Sequence, residues 1–280
     1  MAKVDLNCDL EECCGAQRME LDTKLIPLIS SCNLAFSLNM SEHMEMREII
    51  KTASEAGIGI GVCLGFPDMM SVGQSSSSDT PDTGQSSSSD TPDTGQGNTY
   101  FLPEEVGAHI SYQLGAIHAF AKTVGVKIQH VKPHGVLYEM SAKDHRLAMA
   151  IAEAVQYFDP NMILMGPPGS QSIRAAQEIG LPVAREVYAD RAYMPDGSLM
   201  PKTMEEAIIR DEQEVIARVI RMVKKHKVTA CDGTELRMIP DTVCVHCCDD
   251  RECALVAQIR SALAEEGVKI KPLASIVKKA

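Results

Sequence analysis

The chain has no tryptophan, and only 5 phenylalanines and 6 tyrosines in 280 residues. With 4% aromatics and 45% hydrophobic residues, its core has to be built from Leu, Ile, Val, Ala and Met. The 16 methionines read as adaptable core filler rather than as a metal-binding or promiscuous surface. Basic residues are also scarce, 27 Lys and Arg against 38 Asp and Glu, for a net charge of −11. That balance excludes the concentrated basic surface that nucleic acid demands and argues equally against anionic membranes. No stretch approaches the ~18 apolar residues of a membrane span. The first residues carry Lys3 and Asp5 instead of a long apolar segment, so no secretory signal is expected and a cytoplasmic protein is. No Gly-rich Lys-Ser/Thr phosphate loop is present.

What is there alternates. Strand-like apolar runs fall at Lys3–Leu10, Asn33–Leu38, Ile58–Leu64, Ile128–Pro133, Met162–Gly166, Val183–Tyr188 and Thr242–His246. Helix-period segments separate them. Met46, Ile49, Ile50 and Ala53 mark one helix, with Gly57 at its C-cap. Pro103, Glu104 and Glu105 open another, whose apolar face runs Val106, Ile110, Leu114, Ile117 and Ala121. Val215, Val219, Met222 and Val223 stripe a third, and Val256, Ile259 and Leu263 a fourth. Strands alternating with helices predict a parallel sheet covered on its faces. About seven such units without a gap favour one closed α/β barrel, an open doubly wound sheet being the competitor. Lys227–Ile239, with Asp232-Gly233 in its middle, reads as a hairpin before the last strand.

One region breaks the rhythm. Residues 75–85 read SSSSDTPDTGQ and residues 86–96 repeat them letter for letter. A unit of Ser, Asp, Thr, Pro and Gly cannot bury a core, so the segment 74–98 is expected to be a disordered insert in a single domain spanning 1–280.

In parallel α/β folds the working groups gather at the carboxyl ends of the strands. The first strand delivers Asn7, Asp9 and Glu12 there, and the fourth Lys132 and His134. The sixth is followed by Asp190, Arg191 and Tyr193, and the last ends in His246, Cys247 and Cys248. Carboxylates to activate water, histidines to carry protons, and Lys and Arg to stabilise an oxyanion together predict an enzyme pocket. Cys8, Cys13 and Cys14 at the first strand face Cys244, Cys247, Cys248 and Cys253 at the last unit if the sheet closes. A soft-metal or redox site there competes with the reading of cysteine as small apolar filler, which is preferred.

Asp5-Leu6-Asn7-Cys8-Asp9-Leu10 followed by Glu12 resembles the opening of the LamB/YcsF family, the A component of bacterial-type 5-oxoprolinase. His130-Val131-Lys132-Pro133-His134-Gly135-Val136-Leu137-Tyr138 is similar to a second signature, and Arg185-Glu186-Val187-Tyr188-Ala189-Asp190-Arg191-Ala192-Tyr193 to a third. Asp241-Thr242-Val243-Cys244-Val245-His246 is similar to a fourth. The resemblance implies a seven-stranded parallel β/α barrel of the glycoside hydrolase/deacetylase type. It implies 5-oxoproline as substrate and L-glutamate as product, with ATP brought in by B- and C-type partner subunits; no metal is predicted. Carried over by position, Asp9 and Glu12 are acid/base or water-positioning groups, and His134 and His246 carry protons. Lys132 and Arg191 balance negative charge, beside Asp190. Asn7, Asn39, Glu42, Cys63 and Tyr193 are candidate substrate-binding residues.

The family usually carries Cys-Gly-Phe-His-Ala-Gly-Asp where this chain has Phe36 to Glu42, so Asn39 replaces a histidine and Glu42 an aspartate. Cys63 stands where the family has a second histidine, and the insert follows where the family has a short basic loop. Two alternatives to the enzyme therefore stay open. One is a catalytically impaired paralogue with a binding or assembly role. The other is a metal-dependent amidohydrolase or deacetylase-like enzyme using Asp9, His134 and His246.

Overall fold

The computed structural model describes residues 2–10, 16–35, 40–66 and 102–277, with the side chains of 16–19 and 40–45 outside that description. Six parallel strands come first: β1 (Lys3–Leu10), β2 (Ser31–Ala35), β3 (Gly59–Leu64), β4 (His130–Pro133), β5 (Ile163–Gly166) and β6 (Val183–Tyr188). An antiparallel hairpin, β7 (Lys227–Thr229) and β8 (Glu235–Arg237), precedes β9 (Thr242–Cys244). β9 pairs in parallel with both β6 and β1, which closes a seven-stranded ring and rules out the open sheet. A two-residue strand, β10 (Lys269–Ile270), pairs with Lys3 and Val4 at the base of β1. No helix among the described residues is long and apolar enough to cross a membrane.

Helices clothe the ring: α1 (Ala16–Leu25), α2 (Met40–Glu55), α3 (Pro103–Thr123), α4 (Gly135–Lys143), α5 (His145–Phe158), α6 (Gln171–Glu178), α7 (Glu212–Lys225) and α8 (Asp250–Glu265). The expected apolar stripes are the ones that bury. Val106, Ile110, Leu114, Ile117 and Ala121 on α3, and Val215, Val219, Met222 and Val223 on α7, all lie in the main core. Each large aliphatic side chain so covered contributes about 1.5–3 kcal/mol. Gly57, at φ +71°, ends the turn after α2 in the left-handed region where glycine is at ease.

The strands alternate sharply. Val4, Leu6, Cys8 and Leu10 of β1 join the apolar core shared with the helices. Asp5, Asn7 and Asp9 hydrogen-bond across the barrel instead. The interior is thus polar over much of its height, whereas the sequence reading anticipated continuous apolar strands. A small separate cluster, Ile163, Met165 and Ala184 with Leu273, supplies the apolar part on β5 and β6. The alternation also explains why β2 begins at Ser31 rather than Asn33: Ser31 is a small polar residue placed inside the ring, bonded to Asp5. The end of that expected strand, 36–38, falls outside the described residues, as do Glu12, Asn39, the side chain of Glu42 and the insert 74–98.

Inward positions on β3 are Gly59, Gly61 and Cys63, in register with Ser31, Asn33 and Ala35 of β2. Gly61 is there because of His130: a Cβ on it would come within 2.1 Å of the imidazole Nε2. That ring is fully buried and fixed by Asn33, so it has nowhere to go. Gly61→Ala should therefore destabilise the protein by about 1–3 kcal/mol, the cost of overpacking. Adding His130→Ala should recover part of the loss in urea denaturation. Equal stability of Gly61→Ala and wild type would show that the barrel does not need this vacancy.

Candidate active site

The site rests on a ladder of hydrogen bonds that climbs the barrel axis. At its foot, Asp5 Oδ1 accepts from the Ser30 and Ser31 hydroxyls at 2.7 Å each, and Oδ2 accepts from Thr242 at 2.6 Å. Burial pushes the Asp5 carboxyl up to about 6 despite these donors. One rung higher, Asn7 Nδ2 donates to Thr242 Oγ1 (2.6 Å) and to Glu186 Oε1 (3.2 Å), while its Oδ1 accepts from Asn33 (2.8 Å). Asn33 Nδ2 also reaches Asp9 Oδ1 at 2.7 Å. Its Oδ1 lies 2.7 Å from His130 Nε2, and because an amide oxygen only accepts, His130 carries its proton there. Burial, reinforced by the charge of Lys132, drives His130 down to about 3 and keeps it neutral.

Lys132 is the top rung and the hub. It is 1% exposed, yet charged. Burial works against its ammonium, but Asp9, the Cys244 sulfur and Glu186 hold it well above the usual lysine range. Nζ stands 2.9 Å from both Asp9 oxygens, 2.9 Å from Glu186 Oε1 and 3.5 Å from Cys244 Sγ. It also lies 5.1 Å from the centroid of the Tyr188 ring. An ammonium has three donors, and these partners absorb them. Lys132 thus fixes two carboxylates in place. Burial alone would raise Asp9, but Lys132, Asn33 and His134 keep it below the ordinary carboxylate range. Cys63 Sγ adds a contact to Asp9 Oδ1 at 3.7 Å.

Above the hub opens a chamber of about 400 Å³, lined by Asp9, Lys132, His134, Tyr138, Tyr188, Arg191, Lys202 and His246, among others. His134 sits at the N-cap of α4 without using its side chain as the cap. His246 Nδ1 is 2.8 and 2.9 Å from the two Asp190 oxygens, and its ring stacks on Tyr188 at 5.8 Å. That pairing commits Nδ1 to Asp190 and leaves Nε2 as the nitrogen for proton transfer, the arrangement of a His–carboxylate dyad. Arg191 is buried; its Nη2 donates to the Met200 carbonyl at 2.6 Å, while Nε has no partner among the described residues. Arg191 lines the chamber and brings it a permanent positive charge, which suits an anion.

Of the residues expected from sequence, the structure brings Asp9, Lys132, His134, Arg191 and His246 to one chamber, with Asp190 supporting His246. Asn7 lies below as a strut, and Cys63 flanks Asp9. Tyr193 lines an adjoining cavity and accepts a hydrogen bond from the Tyr188 backbone N–H at 2.9 Å. Glu12, Asn39 and the Glu42 side chain are outside the described residues. Sequence reasoning missed Asp5, Asn33, His130, Tyr138, Glu186 and Cys244. The signal was available in β1, where Asp5, Asn7 and Asp9 alternate with apolar residues at period two.

The cysteines divide by face. Cys8 and Cys32 pack in the apolar core, as filler should, whereas Cys63 and Cys244 contact the charged hub. Cys244 and Cys247 stand at Cys-x-x-Cys spacing but part company, Cys247 Sγ lying 3.0 Å from Cys253 Sγ. Among the described residues, no three His, Cys, Asp or Glu side chains are placed to share a metal ion.

The His246–Asp190 pair sets a pH dependence. Burial opposes the imidazolium, but Asp190 outweighs it and raises His246 above its usual value. Its stabilisation is therefore complete below about pH 6.5 and is lost as pH rises through the higher folded value. Asp190 is held low by His246 against the effect of burial, so its contribution is present above about pH 4 and is lost on acidification. His246→Gln should cost about 1–3 kcal/mol near pH 6, and the gap to wild type should narrow toward pH 9 in denaturant titrations. A gap that stays constant across that range would show the pair is not charged.

The chain is similar over nearly its whole length to known proteins. The LamB/YcsF family profile matches residues 4–87 and 84–278, two segments that meet inside the duplicated stretch. The 5-oxoprolinase A subunit of Clostridium beijerinckii is 41% identical over 276 residues, covering 99% of this chain and 100% of that one. The corresponding 5-oxoprolinase chain of Pyrococcus abyssi, likewise an A subunit, is 38% identical over 275 residues, covering 98% and 99%. Among solved structures, the lactam utilization protein of Thermus thermophilus superposes with a TM-score of 0.78 at 34% identity, over 96% of this chain and 99% of that one. With a closed seven-stranded barrel, its signature residues gathered at one mouth, and near-complete coverage at such identity, the chain belongs to the LamB/YcsF family.

Proposed function

We propose that this protein is the A component of a multi-subunit 5-oxoprolinase that hydrolyses the lactam of 5-oxoproline to L-glutamate. The observation that carries the reading is the convergence of the Asp9–Lys132–Glu186 ion cluster, the His246–Asp190 dyad and the Arg191 side chain around one chamber. It occurs in a chain that spans the whole length of relatives named as the A subunits of 5-oxoprolinases.

An unstrained cyclic amide is a poor electrophile, so its carbonyl has to be activated. ATP is the co-substrate for that activation, handled by B- and C-type partner subunits, since this chain carries no Gly-rich phosphate loop. The duties of this chain follow from its geometry. At pH above its raised value His246 is neutral and takes the proton of the attacking water through Nε2, while Asp190 steadies the imidazolium that forms. Asp9, an anion because Lys132 holds it so, orients that water. Arg191, lining the chamber, offers its positive charge to the oxygen that gathers negative charge. His134, lining the same chamber, delivers a proton to the nitrogen as the C–N bond breaks.

Glutamate should form from 5-oxoproline only when ATP and the B- and C-type subunits are present. Asp9→Ala and His246→Gln should each lower that rate by about 10²–10⁴-fold, the usual share of acid–base groups. A folded wild-type chain that joins its partners yet yields no glutamate would instead point to a binding or assembly role. Full activity in Asp9→Ala would remove that residue from the mechanism.

A further inference from the structure

Between β6 and α7 the chain makes a long excursion, residues 189–211, which contributes Arg191, Leu199 and Lys202 to the wall of the chamber. The excursion is pinned along its length. Arg191 pairs with Ile208 and Tyr193 with Leu199 in short antiparallel contacts. The Ala192 N–H donates to the Ala207 carbonyl and the Met200 N–H to the Ala192 carbonyl, at 2.9 Å each. The Arg191 side chain ties down the Met200 carbonyl from within. Immediately afterwards the Pro201 carbonyl accepts from the Met204 N–H at 3.0 Å, closing a turn whose central residues are Lys202 and Thr203. Pro201 fixes its own φ, so the backbone that carries Lys202 enters that turn already restricted.

The other cationic groups of the chamber are engaged. Lys132 is surrounded by Asp9, Glu186 and Cys244, Arg191 is bonded to Met200, and His246 is held by Asp190. Lys202 differs from all three. It is exposed, it lines the chamber, and it makes no hydrogen bond or ion pair among the described residues. Glu139 on α4 also lines the chamber without an ion pair there, and it does not neutralise Lys202. A solvated lysine is commonplace on a surface. One held at the wall of a chamber whose other cations are committed is a placed charge.

We infer that Lys202 reads the carboxylate of the substrate, holding it at the rim of the chamber while the ring amide faces Arg191, Asp9 and His246. The inference rests on the proposed 5-oxoproline reading of this chamber and adds the group that tells an acidic lactam from a neutral one. A carboxylate is costly to bury, and the deep end of the site already holds the carboxylates of Asp9 and Glu186. The rim leaves it partly hydrated and opposite a cation. An ammonium on a flexible stem suits that duty, since it needs no fixed fork geometry and can follow the carboxylate as the ring opens. Glu139 repels a carboxylate from its own part of the wall, so the two rim charges together orient the ring.

The test uses Lys202→Met, which removes the charge and keeps the length of an exposed side chain, so the fold should be unaffected. Lys202→Arg keeps the charge and Lys202→Glu reverses it. Binding of 5-oxoproline and of 5-oxoprolinamide, the same ring with a neutral carboxamide, would be measured by calorimetry on the full chain assembled with its B- and C-type partners. Wild type should prefer the acid by at least about fivefold, as expected of an ion pair made partly in solvent. Lys202→Arg should keep most of that preference, Lys202→Met should abolish it and Lys202→Glu should favour the amide. In the ATP-dependent assay, Lys202→Met should raise KM for 5-oxoproline by a similar factor with a smaller change in kcat. A wild type without the preference, a Lys202→Met variant that retains it, or an equal loss of both ligands in that variant would overturn the subsite. Glutamate formed at an unchanged KM by Lys202→Met would sink the subsite and leave the proposed function intact. A Lys202-dependent preference for the acid in an assembly that forms no glutamate would uphold the subsite and remove the hydrolase.

Discussion

A single buried ammonium organises this molecule. Taking Lys132 out of water costs several kcal/mol unless its charge and its donors are met. The partners that meet them come from three other strands, Asp9 on β1, Glu186 on β6 and Cys244 on β9, while Lys132 itself projects from β4. One charge therefore ties four of the seven strands to a common point on the axis. The same contacts hold Asp9 in the wall of the chamber. The structural requirement and the chemical one fall on the same atoms.

Beneath that point the barrel departs from the usual plan of stacked aliphatic layers. Asp5, Ser31, Thr242, Asn7, Asn33 and His130 fill the axis with hydrogen-bonded polar groups. Such a ladder adds little net stability, since each bond replaces one to water. Its effect is on register. A slip of one residue in β1 would turn Val4, Leu6 and Cys8 inward and strand Asp5, Asn7 and Asp9 among the helices. The penalty for that alternative is far greater than in an all-aliphatic barrel, so the position of Asp9 relative to Lys132 is fixed by groups well removed from the mouth.

Much of this is legible in the sequence, for reasons that differ residue by residue. The alternation of strands and helices indicates the barrel, and the Asp232-Gly233 turn indicates the hairpin, because both signals are local. Asp9, Lys132, His134, Asp190, Arg191 and His246 stand out because they sit at strand ends, where parallel folds put their chemistry. Glu186 and His130 lie one layer deeper, inside strands that read as apolar runs, and their polarity is easily overlooked although both fall in recognisable motifs. Cys244 reads as filler, as most cysteines do, and only the closure of β9 onto β1 brings it to Lys132. That Lys202 lines the chamber without an ion pair is invisible in sequence, since a missing partner is defined by what surrounds the group.

The seam between the first strand and the last has a consequence for how the chain is made. Asp5 and Asn7 depend on Thr242, and β1 pairs with a strand made long after it, Thr242 following Asp5 by 237 positions. While translation proceeds, the ring is an open sheet with an unpaired edge at each side and a polar axis missing one wall. Closure involves contacts of the greatest sequence separation and must come late, after the local strand–helix units have formed. During that interval the nascent protein has its largest exposed strand edges, so its vulnerability to aggregation is set by the time needed to deliver β9 rather than by the stability of the finished barrel.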